Sequence, residues 1–501
     1  MNFRLRVRKQ GPLPRWLCCA FFATWIGAFQ FLIVWSHIHF TTVSFQGEPL
    51  LGVHDHITTL REDNDRALVP TTNVAPAPVS EVMENGPAYW MVDDEDDFYE
   101  HVFGSIHDLK HLRQNLGVKH YFPHVCGLYR FNITMLPTVS VIMTLRNEIP
   151  GMVALSVHSI LARTPPELLV EIIIINDDPG VQPSPELEAL QTLSDKVVLH
   201  INTERAGCAR SRMLGAEMAR GTVLMFVDSH VEMLSSTWYQ HLVLPILDNP
   251  HTIASQQLEV MDDGDGHKYL DRATRGSSYG SMTKQFSFTY ESHRFERDPL
   301  RRKPPPKAEP YEMPFAPGAL FAIRKSEFWR LGAYDRGIYV WGAENMELSL
   351  KIWLCGGRLV QVPCSSSGHM YRNSYRAKWD TDYGNLTTKL GVDSDDGRYL
   401  AYGFNISLDA MNRIWLRNNI RVAKVWLGDW RYYYYKEVFG SKKLPAEWAK
   451  FENEDGEMLE QIRIKAKNQC RDFDWFDKFV FLRILGKHNP WYAKRMNDLS
   501  E

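Results

Sequence analysis

The chain has 501 residues, of which 44% are hydrophobic and 23% charged, with 32 glycines and 27 prolines. This composition excludes a wholly disordered, collagen-like or coiled-coil chain. The formal net charge is only −3, so the chain lacks the basic surplus of a general nucleic-acid binder.

The first predicted element is a membrane anchor. Five basic residues precede it, namely Arg4, Arg6, Arg8, Lys9 and Arg15. Leu17 to Trp35 is then an uncharged apolar run of 19 residues, nearly long enough to cross a bilayer core. We expect 1–16 to be a cytoplasmic tail, 17–35 an uncleaved signal anchor, and the remainder luminal. A cleaved signal peptide is the alternative, but its apolar region is typically about 7–15 residues long and ends at small residues.

Three N-x-[ST] sequons follow the anchor, at Asn132, Asn385 and Asn405. Each is a predicted N-glycosylation site, and on the luminal side of an anchor they favour a secretory-pathway glycoprotein. Residues 36–120 have little sustained periodicity. They contain the Pro/Ala/Thr-rich stretch 69–79 and the acidic run 93–97. We expect this region to be a solvated stem.

From residue 121 the pattern changes to alternating strands and helices. Strands are predicted at 138–145, 170–176, 196–202 and 222–228, and helices near 151–162, 185–194 and 207–219. This order predicts an α/β fold with a Rossmann-like, doubly wound, mostly parallel sheet. Ligands of such sheets bind beyond the carboxyl ends of the strands. No G-x-G-x-x-G follows the first strand, which disfavours a dinucleotide cofactor.

Polar side chains occur where the predicted strands end. Asn147-Glu148 follows the first strand and Asp177-Asp178 the second. Asp228-Ser229-His230 ends the fourth, and residues two apart in an extended segment face the same side. Asp228 and His230 can therefore share one divalent cation such as Mn²⁺, while Ser229 faces elsewhere. In isolation a capping aspartate and a surface histidine would explain this motif, but its place at the strand ends favours a metal site.

A second group of small and functional residues lies downstream. Pro317-Gly318-Ala319-Leu320-Phe321 is typical of a turn leading into a strand. Trp341-Gly342-Ala343-Glu344-Asn345 combines an indole with residues that allow close backbone approach to a ligand. A core tryptophan beside a helix-capping glutamate is the alternative for this segment taken alone.

Taken together, these segments resemble the polypeptide N-acetylgalactosaminyltransferases, which start mucin-type O-glycosylation. The similarity runs from about Cys126 to Trp475. Its ordered motifs are TLRNE (144–148), VHSIL (157–161), INDD (175–178), RAGCARSRMLGA (205–216), FVDSH (226–230), GALF (318–321), YDRGIYVWGAENMELSLKIWLCGG (334–357), CSSSGHMYR (364–372), NNIRVAKVW (418–426) and CRDFDW (470–475). So many ordered matches are far more specific than any single motif.

The resemblance implies a GT-A fold over 121–485 and a retaining transfer of N-acetylgalactosamine from UDP-GalNAc to Ser/Thr hydroxyls of secretory proteins, with Mn²⁺. It places a single-pass type II protein in the Golgi membrane. Implied metal ligands are Asp228, His230 and His369. Implied catalytic residues are Glu344, Trp341, Asn345 and Arg372. Implied substrate-binding residues are Thr144, Asp177, Arg205, Arg212, Ser229, Gly318 and Ala319. Implied disulfides join Cys126 to Cys364 and Cys355 to Cys470, which leaves Cys208 as a buried free thiol.

The chain also departs from the family's pattern. Leu145-Arg146 replaces a Phe-His pair near the uridine, and Ala319 and Ala343 stand where the family has sugar-site glycines. A misplaced methyl costs about 1–3 kcal/mol in a pocket, which is enough to change sugar preference. The segment 373–412 after Arg372 is longer than the family's loop. With 486–501 as a short C-terminal tail, no lectin domain is expected.

Three hypotheses remain open from the sequence. The first is an active, divergent transferase, and the second is a catalytically silent relative that acts as a Golgi binding or regulatory protein. The third is a transferase that uses a different UDP-sugar. The metal and tryptophan–glutamate residues are all present, which favours an enzyme.

Overall fold

A nine-stranded sheet is the centre of the computed structural model. The structure describes residues 88–91, 124–148, 151–180, 183–261, 278–292, 308–370, 398–401, 404–407, 410–453 and 455–500. The predicted anchor, most of the predicted stem, Arg372 and Asn385 lie outside the described residues, as does the side chain of Asn405. In the part of the chain that is described, no helix combines the length and apolarity needed to cross a bilayer.

The strands and helices are numbered in chain order. The strands are β1 Tyr89–Met91, β2 Tyr129–Phe131, β3 Val139–Leu145, β4 Leu169–Asn176, β5 Val197–Ile201, β6 Val223–Asp228, β7 Val231–Met233, β8 Thr252–Met261, β9 Ser278–Met282, β10 Phe288–Ser292, β11 Tyr311–Glu312, β12 Phe321–Arg324, β13 Arg358–Met370, β14 Arg398–Ala401 and β15 Phe404–Ser407. The helices are α1 Met152–Arg163, α2 Pro185–Leu193, α3 Cys208–Met218, α4 Trp238–Asp248, α5 Lys325–Arg330, α6 Glu344–Leu354, α7 Ala410–Trp426, α8 Arg431–Phe439, α9 Ala446–Ala449, α10 Gly456–Lys467, α11 Phe473–Phe476, α12 Leu482–Leu485 and α13 Tyr492–Ser500. All four strands and three helices predicted between residues 138 and 228 are present, within one residue at every end.

The order of the main sheet is β11-β13-β8-β12-β6-β3-β4-β5, with β7 paired to β13. The predicted half, β6-β3-β4-β5, is parallel. In the other half β12 is antiparallel to both β6 and β8, and β13 is antiparallel to β11 and β7. The sheet is therefore mixed. Because β13 is parallel to β8, six strands share one direction, so most strands are parallel as predicted. The short strands β7, β11 and β12 run the opposite way, and the sequence did not predict their direction. The antiparallel strands are short or interrupted, so they carry little periodic signal.

Two hydrophobic cores lie on opposite faces of the sheet. Alternation along the strands divides them: Ile142 enters the first core, and Val141 and Met143 enter the second. The first core packs against α3, α6 and α7, and the second against α1, α2 and α4. Burial of both faces explains why β3, β4 and β6 are almost continuously apolar in sequence.

Two disulfides tie distant parts of this fold together. Cys126 pairs with Cys364, and Cys355 pairs with Cys470, as the family resemblance implied. Cys208 is a free thiol, and burial raises its pKa to about 12, so it stays protonated at neutral pH. In the predicted tail 486–501, Trp491 is fully buried and joins the first core.

Candidate metal centre and active site

The carboxyl ends of six strands meet at one edge of the sheet. Two antiparallel steps through β12 give β8 the direction of β6, and β13 is parallel to β8. The ends of β3, β4, β5, β6, β8 and β13 therefore point the same way. Thr144, Asp177, Asp228, Glu259 and His369 lie at or near these ends. This edge is where the sequence predicted a ligand site.

Three predicted metal ligands come together there. Asp228, His230 and His369 each offer one ligand atom, and these atoms lie within 4.8 Å of one another. Asp228 and His230 occupy the link between β6 and β7, and the pairing of β7 with His369 on β13 closes the group. One carboxylate oxygen and two imidazole nitrogens suit a divalent ion such as Mn²⁺.

Asp228 is held in its ionised form. Its two oxygens lie 3.2 Å from Arg212 Nη2 and 3.1 Å from His369 Nε2. Burial opposes ionisation. However, the hydrogen bond with His369 and the positive charges of His230 and Arg212 outweigh it and hold the pKa of Asp228 well below its usual range. An ionised carboxylate is the form that binds a cation.

Glu148 lies directly behind the metal group. Its Oε2 is 2.9 Å from His230 Nδ1 and also accepts a hydrogen bond from the Ser229 hydroxyl. A carboxylate at Nδ1 leaves Nε2 of the same imidazole to face a metal, an arrangement that commonly orients histidine ligands. The Ser229 side chain is thus engaged with Glu148. The sequence pattern placed Glu148 at a strand end but indicated no role for it.

Asp177 organises the loop that precedes α3. Its carboxylate accepts hydrogen bonds from the backbone N–H groups of Ala206 and Gly207 at 2.7 and 2.8 Å, and from Asn202 Nδ2 at 2.7 Å. Burial raises the pKa of Asp177, and these hydrogen bonds oppose the shift. Arg205 directly precedes this loop. Asp177 and Arg205 therefore belong to one local structure.

Thr144 and Cys208 connect this loop to the metal group. Thr144 is the register partner of Asp228 across β3 and β6, and its hydroxyl lies 3.8 Å from Cys208 Sγ. Cys208 begins α3, whose residue Arg212 contacts Asp228. The predicted nucleotide and metal residues are thus contiguous along the sheet edge.

Glu344 begins α6 and is almost completely buried, with 3% of its surface exposed. Burial raises its pKa, and the charge of Arg212 opposes the shift. Within the described residues, Glu344 Oε2, Arg212 Nε and Arg212 Nη1 lack hydrogen-bond partners. A Cβ on Gly318 would lie 3.8 Å from Glu344 Oε1, so the GALF segment adjoins this carboxylate. Such unpaired buried groups are suited to binding a polar ligand.

Trp341 is not a core residue, because 40% of it is exposed. This excludes the alternative that the sequence allowed for the Trp-Gly-Ala-Glu segment. The backbone around it is strained: Val340 and Ala343 have φ of 60° and 74°. A non-glycine residue with a left-handed backbone costs on the order of 1–3 kcal/mol, and such residues are concentrated at functional sites.

The remaining predicted site residues have mixed placements. Asn345 is next to Glu344, with its amide nitrogen 3.5 Å from the Ala316 carbonyl oxygen. Ala319 is 4% exposed and belongs to the second core. Asn132 is buried and accepts hydrogen bonds from the Thr134 N–H and hydroxyl groups. The roles of these residues stay predictions.

Comparison with known proteins gives this site a context. Residues 140–332 match the glycosyl transferase family 2. Polypeptide N-acetylgalactosaminyltransferase 5 of Caenorhabditis elegans is 32% identical over 70% of this chain and 49% of its own length. Polypeptide N-acetylgalactosaminyltransferase 10 of Homo sapiens is 31% identical over 70% of this chain and 50% of its own. The chain thus spans about half the length of these curated relatives.

A solved structure is also similar. The crystal structure of GalNAc-T7 with UDP, GalNAc and Mn²⁺ has 27% sequence identity and a TM-score of 0.58, covering 73% of this chain and 61% of that one. The mixed sheet described above is accordingly a GT-A glycosyltransferase fold. The chain carries a glycosyl transferase family 2 domain, and about 70% of its length is similar in sequence to polypeptide N-acetylgalactosaminyltransferases.

Proposed function

We propose that the chain is a retaining glycosyltransferase that moves N-acetylgalactosamine from UDP-GalNAc to Ser/Thr hydroxyls of proteins, with Mn²⁺ as its metal. The observation that carries this proposal is the group of Asp228, His230 and His369 at the sheet edge. Beside it lie a buried arginine and a buried glutamate with unpaired polar atoms. The relatives named above carry this activity in their names, and GalNAc-T7 was solved with UDP, GalNAc and Mn²⁺.

The three ligand atoms at this site fit a divalent metal such as Mn²⁺. Two histidines and one aspartate would hold it, with Glu148 fixing His230. When bound, the metal supplies positive charge for a pyrophosphate. Arg212 adds a fixed cation on the other side of Asp228. Thr144, Asp177 and Arg205 are assigned to the uracil end, and Asp177 also holds the loop that follows Arg205. Arg372 is assigned to the departing UDP.

The sugar is assigned to a position beside Glu344, Gly318 and Asn345. The exposed indole of Trp341 is assigned to stack on it. Glu344 is too buried for free solvent access, and its unpaired oxygen can accept a hydrogen bond from a sugar or acceptor hydroxyl. Preorganised groups of this kind stabilise developing charge without reorganisation. In a retaining step in which the acceptor attacks from the face that UDP leaves, the protein supplies no nucleophile. Glu344 is therefore assigned to orient the hydroxyl groups of the donor sugar and the acceptor.

The cellular setting belongs to the same proposal. An anchor at 17–35 would place the catalytic domain in the Golgi lumen, as a single-pass type II membrane protein. Two disulfides suit that oxidising compartment. N-glycosylation at Asn132, Asn385 and Asn405 would suit it too.

The direct test is release of UDP from several UDP-sugars, with Mn²⁺ and a panel of Ser/Thr/Pro-rich peptides. We expect UDP-GalNAc with peptide to give the fastest release. Faster release from another UDP-sugar would identify a different donor. Binding of UDP without any turnover would support the silent relative.

Ala319→Gly tests whether a methyl group restricts donor choice. If the Ala319 methyl limits the space for the sugar, the variant should use UDP-GalNAc more efficiently than the parent. Because Ala319 is packed in the second core, unfolding by urea should be measured alongside. An unchanged donor profile in a folded variant would show that this methyl does not select the sugar.

A further inference from the structure

The loop that carries Trp341 has an unusual backbone. Val340, Gly342 and Ala343 have positive φ values of 60°, 98° and 74°. Valine is β-branched, so a left-handed backbone is strongly disfavoured at that position. A segment of this kind keeps its conformation only if the surrounding structure holds it.

Asn418 on α7 contacts this loop from beneath. Its side chain is completely buried. Nδ2 donates to the carbonyl oxygens of Tyr339, Trp341 and Gly342 at 2.8, 3.3 and 3.4 Å, and Oδ1 accepts from the Tyr339 N–H group at 3.4 Å. One amide therefore satisfies backbone groups on both sides of Val340. A buried carbonyl without such a donor is costly, so these contacts are specific to the observed loop conformation.

The other side of the same loop contacts the segment held by Asp177. The Val340 carbonyl oxygen accepts a hydrogen bond from the Cys208 N–H group at 2.7 Å. Gly207 packs so closely that a Cβ there would lie 2.2 Å from the Val340 nitrogen. Val340 is thus the residue through which the loop before α3 contacts the segment that leads to Glu344.

We propose that Asn418 is a positioning residue for the sugar side of the site, holding 339–343 so that Trp341 and Glu344 face the donor. This inference rests on the proposed function. It predicts a selective effect. The loop at 205–207 has its own support from Asp177, so contacts to the nucleotide should survive the loss of Asn418. Contacts to the sugar should not survive that loss.

The test replaces the amide group of Asn418, which donates the hydrogen bonds, with a group of the same shape. Asn418→Asp removes the Nδ2 donor and places a second acceptor oxygen against three carbonyl oxygens. Asn419→Asp is the matched control: Asn419 is the next residue on α7, is equally buried, and has no hydrogen-bond partner for its amide among the described residues. Both variants bury a new carboxylate, so they share the general effect on folding. Asn418→Ser is the second variant if the aspartate prevents folding.

Two measurements are needed. The first is the affinity for UDP and for UDP-GalNAc, with Mn²⁺ present, and the second is hydrogen exchange. In Asn418→Asp, the dissociation constant for UDP-GalNAc should rise at least tenfold, and that for UDP less than threefold. In the control both should change by the same factor. Hydrogen exchange of the 339–343 amides, measured without donor, should be at least tenfold faster in Asn418→Asp than in the control.

The outcomes separate the two proposals. Equal losses of UDP and UDP-GalNAc binding in Asn418→Asp, or unchanged exchange at 339–343, would overturn the role of Asn418. A parent protein that binds neither UDP nor UDP-GalNAc would instead overturn the proposed function. Adding Val340→Gly to Asn418→Ser provides a rescue, because glycine adopts positive φ freely. The double variant should recover at least threefold in UDP-GalNAc affinity, and no recovery would also count against the role.

Discussion

At the scale of single residues, Glu148 determines which nitrogen of His230 can face a metal. Its carboxylate is 2.9 Å from Nδ1, which leaves Nε2 for the ligand role. The sequence predicted Asp228 and His230 from their spacing of two in an extended segment. It could not assign this role to Glu148, since Glu148 is 82 residues from His230 and the two lie together beyond the paired ends of β3 and β6.

Glu148→Gln should weaken Mn²⁺ binding. The amide keeps the shape of the side chain but loses the charge that orients His230, and such changes typically reduce metal affinity by about 10–100-fold. Titration of Mn²⁺ in the presence of UDP measures the effect. Glu217→Gln, at an exposed ion pair with Arg336, is the control. Equal affinities in the two variants would show that Glu148 does not support the metal site.

Glu259 near the end of β8 makes stability depend on pH. It is 5% exposed, and burial raises its pKa from 4.5 to about 7. A raised pKa means that the folded state binds the proton more tightly than the unfolded state. Its contribution to stability is therefore complete below pH 4.5 and is lost as pH rises through 7, by about 3 kcal/mol.

Glu259→Gln should remove this dependence. We expect the variant and the parent to have similar free energies of unfolding at pH 5. At pH 8 the variant should be more stable, because no buried charge forms. Urea unfolding at the two pH values measures the difference. A stability difference that is the same at both pH values would contradict the assignment.

At the scale of elements, the start of α6 is where the chain departs most from local preference. Ala343 precedes the helix with φ of 74°, a conformation that glycine adopts without penalty. The sequence identified this segment through small residues beside Trp341 and Glu344. It did not indicate the left-handed backbone, because alanine normally opposes it and the conformation depends on contacts of 339–343 with Gly207, Trp415 and Asn418, which are distant in sequence.

Ala343→Gly should stabilise the fold by up to about 1 kcal/mol, since relief of the left-handed strain outweighs the larger backbone entropy of glycine in the unfolded chain. The midpoint of urea denaturation measures this. Ala333→Gly, at another non-glycine residue with positive φ (49°), is a control away from the predicted sugar residues. If Ala343→Gly is less stable than the parent while Ala333→Gly is more stable, relief of backbone strain at 343 is outweighed by the loss of the alanine methyl.

At the scale of the whole molecule, one half of the sheet was more predictable from the sequence than the other. Strands β3 to β6 are long, apolar and separated by amphipathic helices, so their parallel order follows from the pattern. Strand β13 has a register shift between Val362 and Ser366 and a run of buried serines. Its apolar pattern is broken there, and its pairing with β8 depends on contacts more than 100 residues apart along the chain.

The disulfides are the long-range constraint that the resemblance did supply. They close separations of 238 and 115 residues, and the chain-entropy model gives about 5 kcal/mol for each. Replacing Cys355 and Cys470 by alanine should therefore lower the free energy of unfolding by several kcal/mol, measured by urea denaturation. The control is Cys208→Ala, which breaks no bridge. A similar, small loss in both variants would mean that the bridge adds little.

The proposed activity depends above all on the binding of a nucleoside diphosphate, UDP, through a cation held by Asp228, His230 and His369. Calorimetric titration of UDP into the parent and into Asp228→Ala, each with and without Mn²⁺, tests this binding most directly. We predict tight binding only in the parent with Mn²⁺. Equal UDP affinity in all four titrations would contradict it.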